Sequence, residues 1–514
     1  MSDSSATLAA VRSLPLAAMR AFPKLFTRYC TDYDAVADFY AGDFRDPAAR
    51  RAAAERAAAH PRDREGLADV LLAQNERWGL PPAARANVEA LRDPNAVAVV
   101  TGQQVGLFTG PLYTVYKTIT TLQLAEQLAE ETGRPVVPVF WIEGEDHDFD
   151  EIAHVRLLRR NDLVELRYDR PEDAGENPGA VGRLKLTDRI DRVLDELDEA
   201  LPPTDFKAPL MERVRAAYRP GTSIEDAFAR FVRSLFPEAG LVFINPDDAR
   251  LKRQAAPLFR REIEDYATAH ARIEAASEAL RRNYHAQVRA RPTNLFLLNE
   301  EGRFPIDAHG NGFVLRGTGR TFTQDALLER LDRTPEQFSP NVVLRPLMQD
   351  ALLPTAAYVA GPSEVSYFAQ YKGVYAWAEV PMPVIYPRAS VTLVEAKVTK
   401  VLEKYDLDVP DFSGDVNRLF QRLVVKTMEV DVDAVFQEAT RAVHQAINDL
   451  KPAVERVDRT LVRSTEATRA ALAKEMEELK GRVVRAEKRK QDEVRAQLEK
   501  AHANLFPGDA MQER

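Results

Sequence analysis

VVTGQQVGLFTGPLYTVYKTITTLQLAEQLAEETGRPVVPVFWIEGEDHDFD, residues Val99 to Asp150, decides how this chain folds. The apolar run Ala96 to Val100 reads as a strand that enters a glycine-spaced turn. Helix formers follow, and a second apolar run, Val136 to Ile142, reads as another strand. That strand ends in carboxylates gathered around one histidine. This is a βαβ unit with polar groups at the C-terminal ends of both strands. Ligands of open α/β sheets bind in the crevice at such ends.

Working outward, Leu241 to Ile244, Ala356 to Ala360 and Pro383 to Tyr386 are further short apolar runs. Strands buried on both faces read this way. Helical stretches between several of them predict an α/β fold with a doubly wound parallel sheet. Residues 7 to about 95 read as helical. DPAARRAAAERAAAH (Asp46 to His60) opens on a helix start signal, and PPAARANVEALR (Pro81 to Arg92) repeats the pattern. The predicted division is 1–95 as a helical N-terminal part of the core, 96–390 as the α/β core, and 391–514 as a helical domain. Two segments interrupt the core, near 155–237 and 294–323. The first predicts a hairpin, a flexible PEDAGENPGAVG stretch and helices. The second, Asn294 to Thr323, predicts a meander. Beyond Val391 only Gly414, Gly481 and Gly508 occur. There Val454, Val457, Leu461, Leu472, Met476, Leu479 and Val483 recur largely at three- and four-residue intervals, interrupted by Ser464 and Thr468. That is a coiled-coil seam. Lys451 and Pro452 mark the turn between two long helices, or a kink. The expectation is an antiparallel helical hairpin that also builds a homodimer. A helix pair packed only on its own core is the alternative.

A chain of 514 residues exceeds one hydrophobic core, so two to four domains are expected. The net charge of −9 disfavours a nucleic-acid partner. The arginines of Arg482 to Arg489 are mixed with glutamate and read as a solvated helix face. No apolar run approaches the roughly 20 residues of a membrane helix. The opening MSDSSATLAAVRSLPLAAMRAF carries Asp3 and no long apolar core, so no signal peptide is read there. The single cysteine, Cys30, excludes an intrachain disulfide and a cysteine metal cluster, and reads as a buried small hydrophobe. Together these point to the cytoplasm, without a membrane partner.

Three constellations carry chemistry. In TGQQVGLFTGP (Thr101 to Pro111), Gly102, Gly106 and Gly110 recur every fourth residue beside Gln103, Gln104 and Thr109. Pro111 suits the first turn of the next helix. The N-terminus of that helix offers free N–H groups to an anion. Tyr113 lies in its first turn, and Lys117 is placed to reach back toward the same ligand. The spacing matches neither a Walker A loop nor GxGxxG. An anion site and a purely structural turn both stand. In EGEDHDFDE (Glu143 to Glu151), carboxylates crowd His147. Such crowding is costly unless the groups are solvated, protonated or paired. Asp146, His147 and Asp148 are candidates for holding a divalent ion or for acid–base work near neutral pH. A solvated loop with a helix cap is the alternative. In SPNVVLRPLMQDALLPTAAYVAGPSEVSYFAQ (Ser339 to Gln370), Arg345, Gln349 and Asp350 precede a strand, and Gly361, Pro362, Ser363 and Glu364 open a helix. Arg345 is suited to gripping a carboxylate with two hydrogen bonds, or to pairing with Asp350. Weaker candidates are Asn245, Asp247 and Asp248 after one strand, and Tyr386 and Arg388 after the last. His154, His285, His309 and His444 read as structural or surface residues.

Taken together, TGQQVGLFTGPLYTVYK, PVFWIEGEDHDFDEIAHV and LRPLMQDALLPTAAYVAGPSEVSYFAQ resemble the cysteine-adding enzymes of bacillithiol biosynthesis, the cysteine ligase family. The resemblance implies a Rossmann-like core with inserted connecting segments and a C-terminal coiled coil that dimerises. It implies a ligase forming an amide bond between L-cysteine and the glucosamine amine of glucosaminyl-malate, with activation of the cysteine carboxyl. The family's fold is similar to nucleotidyltransferases and class I aminoacyl-tRNA synthetases. Activation of a free carboxylate implies ATP or another nucleotide as co-substrate, although this chain has neither a HIGH nor a KMSKS signature; a divalent metal is left open. On the resemblance, Gly102 to Gly110 and Lys117 hold an anionic group. Asp146, His147 and Asp148 bind or deprotonate the incoming amine, or hold a metal. Arg345 and Ser363 orient a carboxylate of malate or cysteine. The alternatives are a nucleotidyltransferase-like or glycosyltransferase-like enzyme on the same scaffold, and a non-catalytic scaffold that senses a metabolite.

Overall fold

The apolar runs become strands of a single parallel sheet in the computed structural model, which describes residues 11–19, 21–172, 175, 177, 179–427 and 432–514. In chain order the strands are β1 (Val97–Gln104), β2 (Val136–Glu143), β3 (His154–Arg159), β4 (Asp162–Arg167), β5 (Val242–Ile244), β6 (Leu295–Asn299), β7 (Gly302–His309), β8 (Gly312–Leu315), β9 (Thr321–Thr323), β10 (Phe338–Pro340), β11 (Thr355–Ala360) and β12 (Val384–Pro387). The core sheet has the order β12-β11-β1-β2-β5, and all its pairings are parallel. Alternate residues of each strand feed opposite faces. Ala98 and Val100 of β1 join Val139 and Trp141 of β2 in one core cluster, with the helices Lys24–Thr31, Arg64–Arg77 and Ala249–Arg281. Val97 and Val99 face the helices Pro47–Ala59 and Tyr113–Thr132, while Phe140, Ile142 and Phe243 face Ile224–Leu235. Burial on both sides explains why these strands are continuously apolar.

Strand β1 is longer than its apolar run. Every residue from Val97 to Gln104 is in register with β2, ending at Gln103 opposite Ile142 and Gln104 opposite Glu143. Thr101 to Gln104 therefore belong to a strand rather than to the turn. The chain steps outward from β1 through β2 to β5 and then returns to lay β11 on the other side of β1. The strand order reverses between β1 and β11, and such a switch point opens a crevice at the strand C-termini.

The first interruption contains the two-stranded β3–β4 ribbon and the helices Arg189–Ala200, Lys207–Ala217 and Ile224–Leu235. Residues 173, 174, 176 and 178 of PEDAGENPGAVG lie outside the described residues, as do residues 1–10. The second interruption is the expected meander, with β10 added at its edge in the order β10-β6-β7-β8-β9.

The chain divides into two units, residues 1–159, 163–391 and 513–514 in one, and 160–162 and 392–512 in the other. The second unit is built on helices Ala396–Tyr405, Val416–Thr427, Val432–Val457 and Val462–Leu505. Its long pair runs antiparallel. Lys480 Nζ lies 2.7 Å from Asp433 near one end, and Lys451 pairs with Glu466 near the other. The turn is not at Lys451 and Pro452. Pro452 lies inside the helix Val432–Val457, and the chain reverses at Asp458 to Leu461. The Asp458 side chain accepts the Thr460 N–H at 2.8 Å, a local cap that stops the helix where proline does not. Of the predicted seam, Val457, Leu461, Leu472 and Leu479 are exposed in the single chain. No helix of the described residues is long and apolar enough to cross a membrane.

Candidate active site

A cavity of about 610 Å³ opens at the switch point. Gly102, Gln103 and Gln104 at the end of β1, Glu143 at the end of β2, Asp146, His147 and Glu151 beyond it, and Gly361, Ser363 and Glu364 after β11 line it. The three predicted segments thus meet in one space, but they do not meet through the atoms first expected.

The glycine segment splits in two. Its strand end faces the cavity, whereas the loop proper turns inward. Val105 and Leu107 to Thr109 are buried, and neither Thr109 nor Gly110 lines the cavity. Phe108, Thr109 and Gly110 all have positive φ (50°, 82° and 69°), an unfavourable conformation for the first two. The Tyr218 hydroxyl fixes this turn by accepting the Phe108 N–H at 2.9 Å. A Cβ on Gly106 would lie 2.8 Å from Gly110 Cα, so this pair of glycines serves loop closure rather than ligand approach. The following helix starts at Tyr113, so Pro111 precedes it. Its N-terminus is not open to a ligand: Tyr113 N–H donates to the Glu513 carbonyl at 3.0 Å, and Thr114 N–H to Pro111. Lys117 does reach back, as expected, but into a closed set of partners. Its ammonium is 2% exposed and donates to Gly102 O (2.8 Å) and Gln103 Oε1 (3.2 Å), while pairing with Glu364. Burial pulls the Lys117 pKa down against the opposing effect of Glu364. The Gln103 amide in turn donates to the Tyr113 hydroxyl at 3.3 Å.

The acidic segment divides its carboxylates among different tasks. Asp146 accepts the His147 N–H at 2.7 Å, and its Oδ1 lies 3.1 Å from His147 Nδ1. Gln104 spans Asp146 (3.5 Å) and Glu151 (2.8 Å). Glu145 is buried behind the wall, paired with the fully buried Lys252 and accepting Ser339 Oγ at 2.8 Å. Asp148 turns away from the cavity. It caps the short helix Phe149–Ile152 by accepting the Glu151 N–H at 3.2 Å. Asp150 pairs with Arg167. Among the described residues no three His, Cys, Asp or Glu side chains converge as a metal-binding group. The Asp146, His147 and Asp148 donor set for a divalent ion is therefore not assembled.

In the third segment, Arg345 lines the cavity, 3.6 Å from Glu143 and 3.3 Å from Gln349 Oε1. Asp350, the alternative partner for Arg345, is buried elsewhere, accepting Tyr375 OH (2.5 Å) and Gln349 Nε2 (2.9 Å), and burial pushes its pKa up to about 6. Gln349 and Asp350 do not line the cavity. Glu364 accepts Gly361 N–H (2.6 Å) and Tyr358 OH (2.7 Å) besides pairing with Lys117. Burial alone would raise its pKa, but Lys117 and these hydrogen bonds outweigh it and hold the carboxyl low. Arg388 lines the cavity, whereas Tyr386 packs edge-on against Phe44 and does not. Asn245, Asp247 and Asp248 also stay outside. Asn245 donates to Glu225, Asp247 pairs with Arg183, and Asp248 caps the helix Ala249–Arg281.

The same architecture is described by two family models. The N-terminal Rossmann-like domain of bacillithiol biosynthesis BshC matches residues 11–389, and the C-terminal coiled-coil domain of BshC matches residues 391–514. This chain belongs to the BshC family. A relative in Salinibacter ruber named "Putative cysteine ligase BshC" is 66% identical over 99% of this chain and 93% of that protein. Relatives of the same name in Chloroherpeton thalassium and Chlorobaculum tepidum are 37% and 36% identical, each over 96% of this chain and 91% of the relative. By the naming of its members, BshC is a family of ligases that form a carbon–nitrogen bond.

Several cavity residues escaped the sequence reading. Glu143, the last residue of β2, belongs to the acidic segment but does not stand out within it. Burial, reinforced by Glu145 and Asp146 against the opposing pull of Arg345, pushes its pKa up to about 7. Its position as the strand-terminal residue was the available signal. Arg303 comes from the meander and stacks on Phe296, 3.7 Å from the ring centroid. It donates to Pro340 O at 2.9 Å and lies 3.5 Å from both Asp146 Oδ1 and His147 Nδ1. Nothing in the local sequence around Arg303 marks it. Arg289 and Arg291 line the cavity from the segment before β6 and are exposed, and neither guanidinium has an ion-pair or hydrogen-bond partner among the described residues. In this cavity, cationic side chains outnumber carboxylates.

Proposed function

We propose that this chain is the cysteine ligase of bacillithiol assembly, acylating the glucosamine amine of glucosaminyl-malate with the carboxyl of L-cysteine. The observation that carries this reading is Glu143. It is a carboxylate with a pKa near 7, at a strand end and 3.6 Å from Arg345, in a cavity with spare cationic charge. An amine attacks only when neutral, and a base titrating near the working pH is best suited to take its proton. Glu143 receives that proton. The Arg345 guanidinium and Ser363 orient a carboxylate of malate or cysteine, and Arg289 and Arg291 offer unpaired guanidiniums to the malate carboxylates. Asp146 and His147 stand beside Glu143 as the second acid–base pair. Joining a free carboxylate to an amine expels an oxygen that a good leaving group must carry. ATP, giving an adenylate or acyl phosphate of cysteine, meets that need. The exposed seam of Val457, Leu461, Leu472 and Leu479 fits a homodimer of a cytoplasmic enzyme.

Incubation of the purified chain with L-cysteine, glucosaminyl-malate and ATP tests the reading. The expected product is cysteinyl-glucosaminyl-malate, detected by mass and by its thiol. Transfer of a nucleotidyl or glycosyl group instead, or no amide product, would overturn it.

A further inference from the structure

Residues 513 and 514 belong to the unit that holds the cavity, although the residues that precede them, 392–512, belong to the other. Glu513 is 1% exposed and accepts both Nη1 (2.8 Å) and Nη2 (2.7 Å) of Arg388, itself 3% exposed on its side chain. Ser390 Oγ (2.9 Å) and Val391 N–H (3.3 Å) donate to the same carboxylate. The Glu513 backbone carbonyl accepts the Tyr113 N–H that opens the helix after the glycine loop. One residue therefore ties the wall behind β12 to the wall behind β1, with the Arg388 guanidinium 5.2 Å over the Tyr113 ring. The next side chain, Arg514, lines the cavity, is exposed, and has no carboxylate partner among the described residues.

We infer that Arg514 is a substrate-contacting residue for an oxyanion, a carboxylate or a phosphate, and that Glu513 is the positioning residue that holds it at the cavity. A buried bidentate pair fixes the backbone on which Arg514 sits. An unpaired guanidinium beside a cavity is suited to planar oxyanions. The inference deepens the proposed ligase reading and rests on it for the identity of the ligand, though not for the binding of an anion.

Calorimetric titration of the full chain and of Arg514→Gln with L-malate, and separately with inorganic pyrophosphate, tests it. At least one probe should bind the parent chain and bind Arg514→Gln about tenfold or more weakly. The probe affected tells whether the carboxylate or the phosphate is held. Equal affinity in both proteins for both probes, or no binding to the parent, would overturn the inference. Thermal denaturation of Arg514→Gln should be unshifted, because the side chain is exposed. Glu513→Gln should raise KM for the anion-bearing substrate about tenfold while kcat changes less, and Glu513→Asp should recover part of that loss. A fall in kcat alone, with KM unmoved, would remove the positioning role. If the parent forms no amide yet Arg514 governs anion binding, the ligase reading fails and this inference stands.

Discussion

The glycine-rich passage after β1 and the acidic passage after β2 are adjacent walls of one cavity, and they use their conspicuous residues in opposite ways. In the first, the conspicuous residues are structural. Gly106 and Gly110 pack on each other, and the strained Phe108–Thr109 turn is buried against Tyr218. The groups facing the cavity come from the flanks, Gly102 to Gln104 on the strand and Tyr113 and Lys117 on the helix. In the second, the conspicuous residues are themselves sorted. Glu143, Asp146 and Glu151 face the cavity, Glu145 is buried on Lys252, and Asp148 is a helix cap. A motif's composition thus marks where a site is. Which of its members reach the cavity is decided by their position relative to the strand end, not by how conspicuous they are in the motif.

The acidic wall carries the largest expected effect. Glu143→Gln keeps the shape of the side chain but removes the base, so turnover should fall by about 10² to 10⁴ while substrate affinity persists. In the parent, kcat/KM should rise with pH through about 7, where Glu143 loses its proton, and this limb should vanish in the variant. The stability effect has the opposite sign. The folded carboxyl keeps its proton up to about pH 7, whereas an unfolded glutamate loses it near pH 4.3. Folding binds the extra proton between those values, so stability falls as pH rises through that window, and the full cost is present above it. Glu143→Gln should therefore unfold at higher urea than the parent at pH 8 and not at pH 4. A variant with full turnover would break the comparison, because both walls would then be structural.

The glycine wall should respond through stability instead. Lys117→Met leaves Glu364 buried without its cation, and removing one partner of a buried pair costs roughly 3–5 kcal/mol. Adding Glu364→Gln should recover much of that loss, as read from urea unfolding midpoints of the single and double variants. Gly106→Ala forces its Cβ against the Gly110 backbone, 2.8 Å away, and should cost about 1–3 kcal/mol with the KM values unchanged. A large change in KM without a change in stability, in either variant, would mean that the loop contacts ligand after all.

The five core strands and the meander were legible because burial on both faces, or alternation between glycine turns, leaves a direct mark on composition. The end of β1 was not, since Thr101 to Gln104 are polar and extend only because β2 supplies a partner at each position. Of the two readings of Lys451 and Pro452, the turn fails because Pro452 stays inside the helix, and the reversal comes at Asp458, whose side chain caps the next turn. In the site, residues of contiguous motifs were found. Arg303 and Arg514 were not, since they reach the cavity from a distant strand and from beyond the helical unit. The open helix N-terminus was expected from local sequence, and its closing by the Glu513 carbonyl is a contact between residues 400 positions apart.

Asp148 gives the smallest effect and the sharpest division of the acidic wall. It lies beside His147 in sequence, yet its side chain accepts the Glu151 N–H at the start of a four-residue helix and does not reach the cavity. Loss of an N-cap typically costs about 1 kcal/mol. Asp148→Ala should therefore lower stability by about that amount or less, while kcat and KM stay within twofold of the parent. Asp148→Ser, which keeps a capping oxygen without the charge, should restore the stability. His147→Asn, one position away and lining the cavity, should lower turnover by about 10² if the ring moves a proton. The contrast isolates the role of the side chain from that of the loop, because both substitutions sit on the same short segment. If Asp148→Ala lost as much turnover as His147→Asn, the cap would be holding the Asp146–His147 pair in place, and the wall would act as a unit rather than residue by residue.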